Sequence, residues 1–329
     1  MGFNFLNGGL YTIVQDSGRN GHQKSGFHVC GVMDKKSYRI ANLLLGNDEN
    51  EAVLEFTLMG PSIQFEEDSA IAITGGDFNP TLNGVEVPMY QAVPVKKDDV
   101  LEFKFAKDGN WGYVAFLGGL DIPLEMGSRS TDVKCGFGGY EGRKLAKGDK
   151  ISYRVSGQKL DKIEKRVVNK PVYSAETTEI RVVMGPQEDY FTKKGIDTFL
   201  NSEYTLTSQS DRMGYRLDGE FIEHNEKGAD IISDGIALGS IQVPAHGKPI
   251  IMLADRQTTG GYTKIATVVS VDIPKLVQCK FNKKIKFVAI DIETAQKLYL
   301  DEEQEFVQMK KTFSPSRNIF SKIAAMFKK

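Results

Sequence analysis

Four glycine-rich segments gather the polar residues with the most to offer chemically. Thr12–Arg19 (TIVQDSGR) leads on to Cys30-Gly31-Val32-Met33-Asp34, and Gly127–Thr131 reads GSRST. Ser210–Leu217 reads SDRMGYRL, and Ala254–Tyr262 (ADRQTTGGY) follows Gly239–Pro244 (GSIQVP). Each combines arginine with carboxylates, amides or hydroxyls on a loop. An arginine fork can hold a carboxylate or phosphate through two hydrogen bonds. Neighbouring hydroxyls, and backbone that glycine lets come close, complete an anion cradle. In the last segment Arg256, Gln257, Thr258 and Thr259 supply four polar side chains, and Gly260-Gly261 allows a sharp turn. The competing structural reading is local: Asp16, Asp211 and Asp255 lie beside or near an arginine, and such pairs often only tie loops together.

Other chemistries are missing from the sequence. There is no P-loop, HExxH or GxSxG motif. Gly136–Gly142 (GFGGYEG) misses GxGxxG by one residue, and the HxE of His224-Asn225-Glu226 has no PCxxC after it. Met309-Lys310 lies in a charged helical stretch, so no covalently attached biotin is expected on this chain. Cys30, Cys135 and Cys279 form no CxxC, and four scattered histidines suggest no metal site, so no metal ligands are assigned. Three reduced thiols fit a cytoplasmic protein. With 42 basic and 43 acidic residues the net charge is -1, which gives no reason to expect nucleic acid as a partner. No apolar run approaches the roughly 18 residues of a membrane span, and the first ten residues do not read as a secretory signal.

The elements that must carry these loops read mainly as strands. Leu101, Phe103 and Phe105 alternate with Glu102 and Lys104, which predicts a half-buried strand over Val100–Phe105. Ser69–Thr74, Gly112–Leu117, Ile180–Met184, Pro249–Ala254, Ile265–Val271 and Lys286–Ile292 are rich in β-branched and aromatic residues and read the same way. Asp34 can cap a helix ending at Gly46, Gln187–Lys194 reads as a short helix stopped by Gly195, and Glu293–Lys311 as a longer one. Strands that do not alternate with long helices favour β-barrels over a doubly wound sheet. The charged stretch Gln158–Lys170 before Pro171 marks a boundary. The expected organisation is a first domain over residues 1–157, a linker over 158–171, a second domain over 172–295 and a helical basic tail over 296–329. Two short echoes, LMGP against VMGP and MGS against LGS, favour a duplicated barrel. Ile319, Phe320, Ile323 and Phe327 fall at helical spacing in the basic tail, which fits contact with a membrane surface or a partner, or a loosely ordered end.

The same segments carry a resemblance. TIVQDSGR, GVMD, LEFTLMGP, GSRST and the block DGIALGSIQVPAHGKPIIMLADRQTTGGYTKIATV resemble the KipA-type family. It is also known as the family of the 5-oxoprolinase C component, or the biotin-dependent carboxyltransferase-like (allophanate hydrolase subunit 2-like) family. The similarity runs from about Leu10 to about Ile292. It implies a mainly β protein of two cyclophilin-like β-barrel domains with a few short helices. It also implies partnership with the other two components of 5-oxoprolinase, a KipI-type B component and an A component. Together these would convert 5-oxo-L-proline, ATP and water to L-glutamate, ADP and phosphate, and this chain would be inactive without its partners. The B and C components would activate the lactam by phosphorylation, with ATP and magnesium serving the complex. Such a step needs a grip on the substrate carboxylate and donors around the moving phosphate. Arg129 and Arg256 lead as anion binders, with Arg212 next and Ser128, Ser130, Thr131, Gln257, Thr258 and Thr259 beside them. Asp16 or Asp255 would orient a nucleophile or hold magnesium. The family's other roles are the carboxyltransferase part of a biotin-dependent urea or amide carboxylase, and antagonism of a kinase-inhibitor partner. The arginine turns of both halves are expected to converge on one cleft.

Overall fold

Apolar residues at alternate positions bury one face of each strand in the first half, and these strands assemble into two antiparallel sheets. The computed structural model describes residues 2–171 and 177–313. One sheet runs Lys150–Ser152, Gly2–Asn7, Ser62–Phe65, Val100–Glu102, Thr81–Leu82, Val85–Glu86. The other runs Tyr11–Gln15, Val53–Thr57, Asp108–Phe116, Ser69–Asp77, Ala92–Val95. Phe3, Phe5, Ile63 and Phe65 of the first meet Leu54, Phe56, Ile71 and Phe116 of the second in one core. Phe3 stacks on Phe116 with ring centroids 4.3 Å apart.

The second half closes outright. Thr177–Met184, Lys264–Val268, Ser240–Gln242, Ile250–Met252, Gly214–Asp218, Glu203–Leu206 and Lys284–Ala289 form a closed barrel. The first and last of these strands pair in parallel to seal it. Ile180, Val182, Ile241, Ile251 and Phe287 are among its buried residues, and closure removes the exposed edges an open sheet would leave. The mainly β reading with few helices therefore agrees with the structure.

Helix α1 (Lys35–Leu45) starts where expected: Asp34 Oδ1 accepts from Ser37 N at 2.9 Å, and Gly46 ends the helix in the left-handed region. Its buried Tyr38, Ala41 and Leu44 share a core with Ala72, Tyr113 and Ala115 of the five-stranded sheet. Helix α2 (Lys193–Asn201) corrects the sequence reading, because it runs through Gly195. Thr192 is its cap, accepting from Gly195 N at 2.9 Å. A side chain at 195 would meet Glu223 O, so this glycine serves a close approach rather than a stop. The strand expected over Val100–Phe105 ends at Glu102, where Lys104 N turns to Phe78 O at 2.8 Å and leaves Phe105 exposed. Helix α3 (Ile273–Val277) is short, and α4 (Ile292–Phe313) is the long C-terminal helix. No helix among the described residues is long and apolar enough to cross a membrane. Ile319, Phe320, Ile323 and Phe327 lie outside the described residues.

The segment between the halves is fastened to its surroundings. Arg166 is buried, and its guanidinium donates to Leu43 O and Leu44 O at the end of α1 and to Phe313 O at the end of α4. Its carbonyl accepts from Ala92 N at 2.9 Å. One apolar cluster passes from α1 and the five-stranded sheet into the barrel, so the halves share a core. Gln278 lies at the centre of the seam. Its Nε2 donates to Asp34 Oδ2 and Trp111 O, both at 2.9 Å, and its Oε1 accepts from Asn110 N and Trp111 N.

Candidate functional site: an anion cleft at the seam

Where α1, the barrel rim and α4 meet, a cleft of about 210 Å³ opens. Ser17, Asn20, Val29 and Cys30 come from the first-half loops; Leu253, Ala254 and Arg256 come from the barrel. Lys36 and Arg39 of α1 face Tyr299, Glu302, Glu303 and Phe306 of α4 across it.

Arg256 is the expected anion binder that lines this cleft. It is buried, its Nε donates to Ile236 O at 3.0 Å and its Nη1 to Leu253 O at 3.2 Å. Both of these acceptors are carbonyl oxygens, and no carboxylate among the described residues pairs with it. Burial pushes its guanidinium below the usual value, yet arginine has ample margin to stay charged at neutral pH. A positive charge aimed by two carbonyls and left without a counter-ion is suited to an incoming anion. After it, Gln257 is exposed, Thr258 half-buried and Thr259 exposed, with Thr259 entering a two-stranded ribbon (Thr259–Tyr262 with Asp230–Gly235).

The expected convergence of three arginines is corrected by the geometry. Arg212 lies behind the cleft wall. Its Nε and Nη2 each reach Asp255 at 2.8 Å, Nη1 contacts Glu55, and Nη2 donates to Gly31 O at 2.6 Å. Burial pushes Arg212 down, but Asp255 and Glu55 more than offset this and hold it well above its ordinary value. Glu55, wholly buried, is pushed up by desolvation against the pull of Arg212. This cluster ties barrel to sheet, and it uses Asp255 as a counter-ion. Arg129 turns away as well: its Nε donates to Ile122 O at 2.9 Å and its Nη1 lies 4.0 Å from Glu51.

Asp16 and the GSRST loop form a closed unit. Asp16 Oδ1 accepts from Ser128 Oγ and Ser130 Oγ, both at 2.6 Å, and from Gly18 N at 2.9 Å. Its Oδ2 accepts from Arg129 N at 2.6 Å. Thr131 Oγ1 donates to Val14 O at 2.8 Å. Ser128, Ser130 and Thr131 are fully buried. These residues shape the loop that carries Ser17 and Asn20 into the cleft; their polar atoms face one another, and both oxygens of Asp16 are engaged within the unit.

The sequence reading placed both helices but missed their pairing at the cleft. Lys36 reaches Glu302 at 3.1 Å and Glu305 at 3.5 Å. Arg39 pairs with Glu303 at 2.6 Å and Glu49 at 2.8 Å, and its guanidinium sits 3.7 Å over the Phe306 ring. The available signal was Lys36 and Arg39 three apart on one helical face, matched by an acidic run at Asp301–Glu303.

Fold and cleft together define a two-part β protein with a crevice at its seam that a buried arginine lines. The chain belongs to the family described as carboxyltransferase domain, subdomain A and B, whose model matches residues 25–289. It is 38% identical over 304 residues to the C component of 5-oxoprolinase from Escherichia coli strain K12, covering 92% of this chain and 96% of that one. It is 36% identical over 305 residues to the same-named protein of Haemophilus influenzae, covering 91% and 96%. Among solved structures, the urea amidolyase of K. lactis superposes with a TM-score of 0.86 at 27% identity. That match covers 94% of this chain but only 20% of the much longer urea amidolyase.

Proposed function

We propose that this chain is the C component of an ATP-dependent 5-oxoprolinase, acting with the A and B components to open 5-oxo-L-proline to L-glutamate. The observation that carries this is the near-complete reciprocal coverage of the E. coli relative of that name, 92% of one chain and 96% of the other. The cleft supports it. A lactam resists attack because its nitrogen donates into the carbonyl, so the ring must be activated while its carboxylate is held still. Arg256 supplies the grip on that carboxylate, with Ser17 and Asn20 lining the same cleft and Gln257 and Thr258 next in the chain. Arg129 and Arg212 act behind the wall, keeping the loops in place.

ATP and magnesium serve the assembled complex on this reading. The sequence has no P-loop, and Asp16 and Asp255 are both engaged, so no nucleotide or magnesium step is assigned to residues of this chain.

Reconstitution tests the proposal. Glutamate release should require this chain together with the A and B components, and Arg256→Ala should lower kcat/KM by about 100-fold without lowering the melting temperature by more than a few degrees. Equal turnover without this chain would overturn the proposal. Bicarbonate consumption blocked by avidin would place the protein instead with the urea carboxylases.

A further inference from the structure

His28, next to the Val29–Cys30 wall of the cleft, meets Asp132 and Cys135 from more than a hundred residues further along the chain. Asp132 directly follows the GSRST loop. It exchanges backbone hydrogen bonds of 2.7 and 3.0 Å with Phe137, which folds 132–137 into a tight turn carrying Cys135. Cys135 N donates to Asp132 Oδ1 at 3.0 Å. That bond fixes the carboxylate and leaves Oδ2 facing His28, whose Nδ1 lies 2.8 Å away. Cys135 Sγ is 3.9 Å from the same nitrogen. One imidazole nitrogen, one carboxylate oxygen and one sulfur thus lie within 4.8 Å of one another.

We propose that His28 Nδ1, Asp132 Oδ2 and Cys135 Sγ bind a zinc-class divalent transition metal, with water as the fourth ligand. Tetrahedral zinc, with bonds of about 2.0–2.3 Å, sets its ligand atoms roughly 3.3–3.7 Å apart. The His28–Asp132 contact need open by only about half an ångström to meet that spacing, and Cys135 Sγ, 3.9 Å from His28 Nδ1, need approach that nitrogen by only a few tenths of an ångström. A mixed N, O and S set suits zinc or cobalt and disfavours magnesium and calcium, which take oxygen. Asp132 is buried, His28 half-buried and Cys135 exposed, so the ligands are held on one side and water has access on the other.

An activated cysteine nucleophile is the competing reading of such a cluster. It needs a thiol that ionises readily. It also needs a base within reach, and the near imidazole nitrogen is already held by Asp132 Oδ2 at 2.8 Å, with Cys135 Sγ farther off at 3.9 Å. On metal binding the thiol proton leaves to solvent, the thiolate bonds to the metal, and no oxidant or reductant is involved. The consequence for the cleft is mechanical. Val29 and Cys30, which line it, immediately follow His28. Bound metal would pin that wall to the turn after GSRST, where the Phe27 and Phe137 rings already pack at 5.9 Å.

The test uses the untagged full chain, reduced, stripped with a chelator and titrated with zinc by calorimetry. The expected result is one equivalent bound with a dissociation constant below about 1 μM. Cys135→Ser and His28→Ala should each weaken it at least about tenfold, and Cys279→Ser should leave it unchanged. Cobalt should give a thiolate-to-metal charge-transfer band that is absent in Cys135→Ser. Failure of the unsubstituted chain to take up metal, absence of that band, or unchanged zinc affinity in Cys135→Ser would each overturn the site.

Discussion

A carboxylate that already accepts four hydrogen bonds has little capacity left for chemistry. Asp16 is in that position, held by two serine hydroxyls and two backbone N–H groups. Its substitution should therefore read out as stability. Asp16→Asn puts an NH2 group among donors and removes charge-assisted bonds, at a cost of about 3 kcal/mol. Urea denaturation measures it; unchanged stability with lost turnover would instead make Asp16 a chemical group. This explains why the site was only partly legible in the sequence. Glycine, serine and arginine spacing marks the loops, because those residue types are what a tight polar turn requires. It does not say which way each arginine points. Arg212 is neutralised by Glu55, from the other half of the chain, and Arg129 turns toward Glu51. Arg256 is left without an acid among the described residues, because its neighbour Asp255 turns to Arg212.

At the scale of elements, α4 acts on α1 as an acidic cover. Glu302 and Glu303 offset Lys36 and Arg39 at the cleft rim, while Phe306 is buried under Arg39. The partly exposed ion pairs contribute little to stability, but they lower the positive potential that an anion meets. The double variant Glu302→Gln, Glu303→Gln should therefore cost no more than about 1 kcal/mol. On the function proposed above, it should raise the affinity of the cleft for 5-oxoproline several-fold at low salt, with the gain fading as ionic strength rises. Calorimetry at two salt concentrations checks this; an unchanged affinity would show that α4 does not tune the cleft. Helix α1 was readable because its cap and its terminating glycine are local signals. Helix α2 was misread because Gly195 answers to Glu223, a tertiary neighbour. The pairing of α1 with α4 joins segments from the two halves of the chain, so only the matching charges of Lys36 and Arg39 and of Asp301–Glu303 point to it.

For the whole molecule, the halves are joined by a shared apolar cluster and by polar groups that can be satisfied only across the seam. Gln278 carries the largest share of these bonds, four through one side chain. Trp111 Nε1 adds a bond to Tyr215 OH at 2.9 Å, and Tyr215 OH donates in turn to Val277 O at 2.9 Å. Gln278→Ala would strand two buried N–H groups and leave the Asp34 carboxylate, already pushed up by its burial, with one donor fewer. The expected cost is about 3 kcal/mol, seen as a melting temperature several degrees lower. Because the cleft is built from both halves, the same substitution should, on the proposed function, weaken 5-oxoproline binding although Gln278 does not line the cleft. The intact chain should unfold in one cooperative transition. Two separate transitions in the unsubstituted protein would mean that the halves are independent, and a cleft that depends on their fixed docking could not then hold Arg256 in place.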